Sequence, residues 1–454
     1  MPALNAPRAH WASRFGFILA AAGSAIGLGN IWKFPYITGQ NGGGAFVLVY
    51  LACIFLVGLP IMMAEFLIGR HGQRDAVGSF AALEGKGSPW CLVGWGGVLA
   101  SFILLSFYSV VAGWSFDYIF KALTGGLSGR SPDEINALFG QLVGSAGQVI
   151  FWQALFVAGT VAIVIGGIRG GIERWSKILM PVLFLLLLLL FVRGMLSPGA
   201  RAGLEFMFRP DFHKLTPAAL LDALGHAFFT LSLGAGTMIT YGSYLDRDAD
   251  LFSLSLRITL LDTVVALLAG LAIFPVVFAA GLEPGAGPGL VFQTIPIVFS
   301  GLPFGSLLAT VFFILLAFAA LSSSISMLEV VVAYLIDEKR WPRLLATLLV
   351  GAAAFLVGIP SALSFNRWAE VTPLFGKNFF DLCDLLVSSY MLPLGGLMVA
   401  IYAGWFWKGA EEKAELVGPT RRPWLFPLWH FLLRFVAPAA VLIVLLNQIG
   451  ILTG

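Results

Sequence analysis

Gly23-Ser24-Ala25-Ile26-Gly27-Leu28-Gly29-Asn30 is the stretch on which the fold turns. It lies in the middle of an apolar run, about 15–38, that is otherwise long enough to cross a bilayer. Glycine loses more entropy on ordering than any other residue, so clustered glycines weaken a helix where they fall. Broken backbone at membrane depth survives only where protein or a cavity satisfies its polar groups. A second stretch, Thr230-Leu231-Ser232-Leu233-Gly234-Ala235-Gly236-Thr237, interrupts another apolar run five runs later. Two interrupted spans at matching positions of two halves point to a transporter with an inverted repeat and a midplane site. Gly23 and Gly27 also form a GxxxG, which alone is explained as well by close helix packing. As a nucleotide-binding fingerprint the glycines fail, because no strand–turn–helix unit surrounds them.

The whole chain has the composition of a protein dissolved in lipid. Hydrophobic residues make up 59% of its 454 residues and charged ones 11%, where soluble domains carry about 25% charged residues. Eleven candidate spans can be marked: about 15–38, 43–69, 90–122, 148–168, 176–195, 216–244, 252–281, 304–336, 342–362, 379–407 and 424–451. The predicted fold class is an all-α polytopic membrane protein. No loop is large enough to separate domains, so residues 1–454 read as one membrane domain. Arg8 and Arg14 before an apolar run resemble a signal peptide, but the run continues into a second hydrophobic segment, and an uncleaved first span is preferred. With the N-terminus inside, the inner loops hold 17 Lys and Arg and the outer ones 8. That bias favours a cytoplasmic N-terminus and, with eleven spans, an extracytoplasmic C-terminus in the inner (plasma) membrane. Cys53, Cys91 and Cys383 have no metal-site or disulfide spacing.

Polar residues inside spans are costly and usually functional. Asn30, Tyr108, Thr230, Ser232, Asp262 and the Ser322-Ser323-Ser324 run with Ser326 supply amide, hydroxyl and carboxylate oxygens. Such a set suits a hard monovalent cation and no transition metal. Broken helices add carbonyls for a cation and N–H groups for an anion. The residues therefore suggest a cation-coupled site for a small zwitterion. Against this, any one serine hydroxyl can simply bond a carbonyl of its own helix. Glu65 and Glu329 are intramembrane carboxylates with no role beyond helix ends or packing.

The motifs then resemble one family, the neurotransmitter:sodium symporters. They are Trp11-Ala-Ser-Arg14, Gly27-Leu-Gly-Asn30-Ile-Trp-Lys33-Phe-Pro35-Tyr36, Asn41-Gly-Gly-Gly-Ala-Phe46, Phe228-Phe-Thr230-Leu-Ser232-Leu-Gly234 and Leu321-Ser-Ser323-Ser. Gly171 and Pro181, ten apart, match a motif for unwinding at the inner end of the fifth span. An end after eleven spans is similar to bacterial amino-acid members.

The resemblance implies two inverted five-helix repeats (about 11–195 and 216–407), an additional span (about 424–451) and alternating access. It implies two Na+ sites. The first uses the Ala25 carbonyl, Asn30, Thr230, Asp262 and the substrate carboxylate. The second uses the Gly23, Ile26 and Ala319 carbonyls with Ser322 and Ser323. The substrate carboxylate meets the Leu28 and Gly29 amides and the Tyr108 hydroxyl. The ammonium meets Ala25, Phe229, Thr230 and Ser232, and Phe229 is an aromatic lid. The side chain lies among Leu104, Ala235, Ser323, Ser326 and Met327. One gate pairs Lys33 with Asp384. The other pairs Arg8 with Asp337, near Trp11, Ser243 and Tyr244.

Departures from the family narrow the substrate. Monoamine carriers place an aspartate where this chain has Gly27, so the substrate here must bring its own carboxylate. Alanine at 235 leaves room and methionine adapts to shape, which favours a hydrophobic L-amino acid, large or aromatic. A small ω-amino acid or osmolyte is the alternative substrate. Asp262 near the first sodium replaces an anion and implies chloride-independent transport. His226 stands where relatives carry glutamine, as a neutral hydrogen-bonding substitute or as a pH sensor paired with Asp262. The expected partners are an amino acid, sodium ions and the lipid bilayer, with no nucleic acid, and a monomer suffices. One charge crossing 100 mV gains about 2.3 kcal/mol, so two sodium ions can drive accumulation. A channel would need continuous polar rings, and an enzyme would need a nucleophile with a base, or a metal. Neither pattern is present.

Overall fold

The computed structural model describes residues 9–127, 129–282, 290–407, 413–417 and 423–448. Its helices in chain order are α1 (Arg14–Ala25), α2 (Gly29–Gln40), α3 (Gly44–Gly72), α4 (Ala76–Glu84), α5 (Cys91–Leu123), α6 (Pro132–Gly144), α7 (Ala146–Ile165) and α8 (Gly167–Met195). They continue with α9 (Ala200–Phe208), α10 (Pro217–Thr230), α11 (Thr237–Gly242), α12 (Leu251–Ala279), α13 (Val291–Ser300), α14 (Gly305–Lys339), α15 (Arg343–Leu363), α16 (Phe379–Phe406) and α17 (Leu425–Asn447).

Nine of these, among the described residues, are single helices long and apolar enough to cross a membrane. The first expected span forms a tenth as the pair α1 and α2, bent by 48° at a short break. Where the sixth was expected stand α10 and α11, two short helices around residues 231–236, neither of which reaches spanning length alone, so the described residues give nine or ten spans and the count of eleven is not confirmed. The expected all-α membrane architecture with two broken helices is therefore observed.

Position in the bundle follows from side-chain character. α14, α12 and α5 are mostly enclosed, while α8 and α17 face outward. On α8 the leucines 185, 188 and 189 are exposed. A face of exposed leucines on a helix of spanning length suits an apolar solvent. α5 and α14, 33 and 35 residues long, form the most extensive helix pair. At about 1.5 Å per residue they reach roughly 50 Å, more than a bilayer core of about 30 Å. They form the frame against which the broken helices lie.

Buried ion pairs fasten helix ends to one another. Glu329, on α14, receives a two-pronged contact from Arg343 (2.7 and 2.8 Å) and a hydrogen bond from the Tyr244 hydroxyl (2.9 Å). A planar guanidinium matches a carboxylate in this way. Glu329 thus has the role that its position alone did not reveal. Arg70, fully buried at the end of α3, donates to the Ala249 carbonyl (2.6 Å) and to both the side chain (2.9 Å) and the main chain of Glu415.

Candidate functional site

The break between α1 and α2 leaves Ile26 extended (φ −76°, ψ 95°), so the carbonyls at the end of α1 and the amides at the start of α2 lose helical partners. The second break is tighter. Ser232 (φ +53°), Gly234 (+75°) and Gly236 (+70°) all adopt the left-handed region, which glycine enters freely and serine only at a cost. Three contacts hold the stretch. Glu65 Oε1 accepts from the Gly234 amide (2.7 Å), the Ser101 hydroxyl donates to the Ala235 carbonyl (2.7 Å), and Gly97 lies so close that a Cβ there would be 2.8 Å from the Gly236 nitrogen. The intramembrane Glu65 is therefore a clamp on unwound backbone.

Between the two breaks lies a cavity of about 380 Å³. Eleven of the thirteen expected substrate residues line it: Ala25, Gly27, Leu28, Gly29, Leu104, Tyr108, Phe229, Ser232, Ala235, Ser323 and Met327. Thr230 and Ser326 stand behind its wall. The Thr230 hydroxyl turns to Asp262 (3.0 Å), and the Ser326 hydroxyl bonds Ser24 (2.7 Å) and the Ser323 carbonyl (2.7 Å). Ser24, Thr237 and Leu392 also line the cavity and were not anticipated. Ser24 sits inside the glycine-rich stretch 23–30 and was legible there. Leu392 carries no polar signal.

The cavity has two ends of different chemistry. At one, the Tyr108 hydroxyl accepts from the Leu28 amide (3.3 Å), and the Ser232 hydroxyl donates to the Ser24 carbonyl (3.0 Å). At the other, Leu104, Ala235, Met327 and Leu392 present hydrocarbon and a thioether.

The two expected cation sets each converge. Asp262 Oδ1 accepts from Asn30 Nδ2 (2.7 Å) and from the Thr230 hydroxyl, while Asn30 Oδ1 accepts from the Gly27 amide (3.1 Å). Among the described residues, Asp262 Oδ2 is buried without a hydrogen-bond partner. In the second set, the Ser322 hydroxyl reaches the Ile26 (3.3 Å) and Ala319 (2.9 Å) carbonyls, and Ser323 reaches that of Gly23 (3.5 Å). Carbonyl and hydroxyl oxygens without a net charge fit a monovalent cation.

A larger cavity of about 1060 Å³ adjoins the first and shares Leu28, Tyr108 and Phe229 with it. Lys33 and Asp384 both line it. Among the described residues they form no ion pair. The Lys33 ammonium lies 4.7 Å over the Phe229 ring, and Asp384 accepts from the Ser388 hydroxyl (2.7 Å). The Arg8–Asp337 gate falls outside the described residues because Arg8 does. Asp337 Oδ2 accepts from the Asp75 amide (2.8 Å). Trp11 is built in as expected, donating from its indole to the Tyr241 carbonyl (3.1 Å) and packing edge-on against Tyr244. His226 is buried between Phe34 and Tyr50, and among the described residues neither ring nitrogen has a hydrogen-bond partner, so the geometry does not pair it with Asp262.

Two broken helices around a shared cavity, with paired oxygen clusters beside it, are the architecture of a secondary transporter. The family model of the sodium:neurotransmitter symporter family matches residues 8–138 and 134–453. The chain is 45% identical to an uncharacterized sodium-dependent transporter, YhdH, of Bacillus subtilis over 98% of both chains. It is 38% identical to an uncharacterized sodium-dependent transporter of Haemophilus influenzae over 98% of this chain and 99% of that one. The solved structure of MhsT in complex with L-phenylalanine superposes with a TM-score of 0.91 at 49% identity, covering 97% of this chain and all of that one. The chain belongs to the sodium:neurotransmitter symporter family, and it is a multi-pass, sodium-dependent membrane transporter.

Proposed function

We propose that this transporter carries a hydrophobic L-amino acid, large or aromatic, together with two sodium ions and without a need for chloride. The observation that carries this reading is the two-ended cavity. Its polar end offers amides and the Tyr108 hydroxyl to a carboxylate, and carbonyls and the Ser232 hydroxyl to an ammonium. Its other end is apolar. Gly27 leaves no side-chain carboxylate to receive an amine, so the substrate supplies the anion itself. The L-phenylalanine in the 49% identical MhsT structure supports the same reading. The buried Asp262 carboxylate, beside Asn30 and Thr230, supplies the fixed negative charge that would otherwise come from an anion. The substrate carboxylate joins the first sodium shell, so substrate and ion stabilise each other and travel together. The two repeats, about 11–195 and 216–407, then rock around the fixed site, with residues near Trp11 closing one side and Lys33, Asp384 and Phe229 the other.

The test is thermal stabilisation of the purified full chain by each of the twenty amino acids, in sodium chloride, sodium gluconate and potassium chloride. A ligand at about 100 times its Kd adds about 2.7 kcal/mol to the state it binds. Bulky apolar amino acids are expected to stabilise in both sodium buffers and not in potassium. Stabilisation by small ω-amino acids instead would overturn the substrate assignment, and its loss in gluconate would overturn chloride independence.

A further inference from the structure

Part of the cavity wall comes from a helix on which no substrate-binding residue was expected. Leu392 is fully buried, lines the cavity, and belongs to α16. We propose that Leu392 determines specificity: it sets the largest side chain that the cavity accepts. The inference rests on the substrate reading above and deepens it.

Three observations carry it. First, the backbone behind the cavity cannot retreat. A Cβ on Gly234 would fall 2.1 Å from the Leu392 carbonyl oxygen, and one on Gly395 would fall 2.5 Å from the Gly234 carbonyl oxygen. The unwound stretch and α16 therefore touch main chain to main chain, with no side chain between them to rotate away. Glu65 and Ser101 hold the same stretch from the other side. The space at this end is therefore set by side chains, and the small Ala235 lines the same cavity as Leu392.

Second, the helix is built to aim this residue. The turn Leu385–Met391, immediately before Leu392, is π-helical. Such a turn absorbs about one extra residue and shifts everything after it. Asp384 lies eight positions before Leu392. At about 100° per residue, eight regular steps would leave the two about 80° apart around the helix. With one residue absorbed, seven steps bring them to within about 20° of one face. Asp384 lines the larger cavity and Leu392 the smaller one. One face of α16 thus looks on both chambers, and the irregular turn is what brings the leucine round.

Third, Leu392 is rigid compared with its neighbour. Met327 has a flexible, adaptable side chain, so it follows the ligand. A leucine seated on a fixed backbone contact does not.

The experiment compares Leu392→Ala and Leu392→Phe with the parent, in the full-length protein, by displacement of a labelled hydrophobic amino acid in sodium buffer. The readout is the ratio of affinities for tryptophan and for leucine. A methylene-sized change in an apolar pocket discriminates ligands by about tenfold or more, so L392A should raise the preference for tryptophan by about tenfold and L392F should lower it by a similar factor. Leu392→Ile, equal in volume, should keep the ratio within about threefold. Sodium-dependent thermal stabilisation reports that each variant is folded. If L392F fails that check, Leu392→Met carries the same test with a longer side chain. A ratio that stays within about twofold of the parent in folded variants on both sides overturns the inference alone. A parent protein that binds no amino acid in sodium overturns the substrate reading, and the inference falls with it.

Discussion

Gly27 shows how little space one residue has between the two cation clusters. A Cβ there would lie 2.4 Å from the Ser323 hydroxyl oxygen and 3.2 Å from that of Tyr108. Both groups are spoken for, one reaching the carbonyls of Gly23 and Ser24 and the other the Leu28 amide. Overpacking of this kind costs about 1–3 kcal/mol. Gly27→Ala is therefore expected to weaken both sodium and amino-acid binding by about tenfold or more, as read by titration of each in the presence of the other. Unchanged affinity for both would mean that Ser323 and Tyr108 do not serve the site. A second residue bears on pH. Asp75 accepts from the Val77 (2.9 Å) and Gly78 (3.2 Å) amides and so caps α4. Burial, and then the nearby Asp337 carboxylate, push its carboxyl up to about 7. A folded acid with a raised pKa keeps a proton that the unfolded chain gives up. Its contribution to stability is complete below about pH 4, its unfolded value, and is lost as pH rises toward 7. Asparagine caps as well as aspartate. Melting temperatures of Asp75→Asn should thus fall less between pH 5 and 8 than those of the parent, and parallel curves would refute the assignment.

At the scale of elements, the start of α8 is fastened to the start of α1 through one carboxylate. Glu173 accepts from the Ala12 amide (2.7 Å) and the Ser13 hydroxyl (2.9 Å), and it pairs with Lys177 (2.6 Å). Gly16 leaves the space for it, since a Cβ there would be 2.1 Å from its oxygen. The turn that presents Glu173, Gly167–Glu173, is π-helical and begins at a glycine with φ +73°. Farther along, Pro181 deprives the Lys177 carbonyl of its helical donor. An element weakened at both ends of one stretch can unwind, and unwinding would carry Glu173 off the entry to the first span. Glu173→Gln loses the charge in three contacts, each worth about 1.5–3 kcal/mol when charged. Amide exchange across residues 12–25 should accelerate by about tenfold or more, and unaltered exchange would show that the clasp holds nothing. The glycine–proline spacing was visible in the sequence, but its partner was not. Nothing in the order of residues says that position 173 will meet position 12, because that contact belongs to the packing of α1 on α8. Leu392 escaped for a related reason, since a π-turn changes the face of a helix without changing its composition. By contrast, the two broken spans and most of the cavity wall were legible. Glycine clusters and intramembrane oxygens are expensive in lipid, and only a site accounts for several at once.

For the whole molecule, α5 and α14 make a fixed frame, the buried Glu329–Arg343 pair pins the start of α15 to it, and Arg70 ties the end of α3 to Ala249 and Glu415. Removing one partner of such a pair costs about 3–5 kcal/mol, so the frame is suited to staying still while the broken helices move. Within it, Leu28, Tyr108 and Phe229 are walls of both cavities. A partition common to two chambers makes their occupants sense each other, and by linkage the influence is equal in both directions. A foreign molecule in the larger chamber that presses the Phe229 ring down would slow the escape of cargo, and one that draws the ring up, toward itself and Lys33, would hasten it. Two compounds lodged at one address could then have opposite pharmacology, one a trap and the other a release agent, according to the side of a single ring on which each pushes.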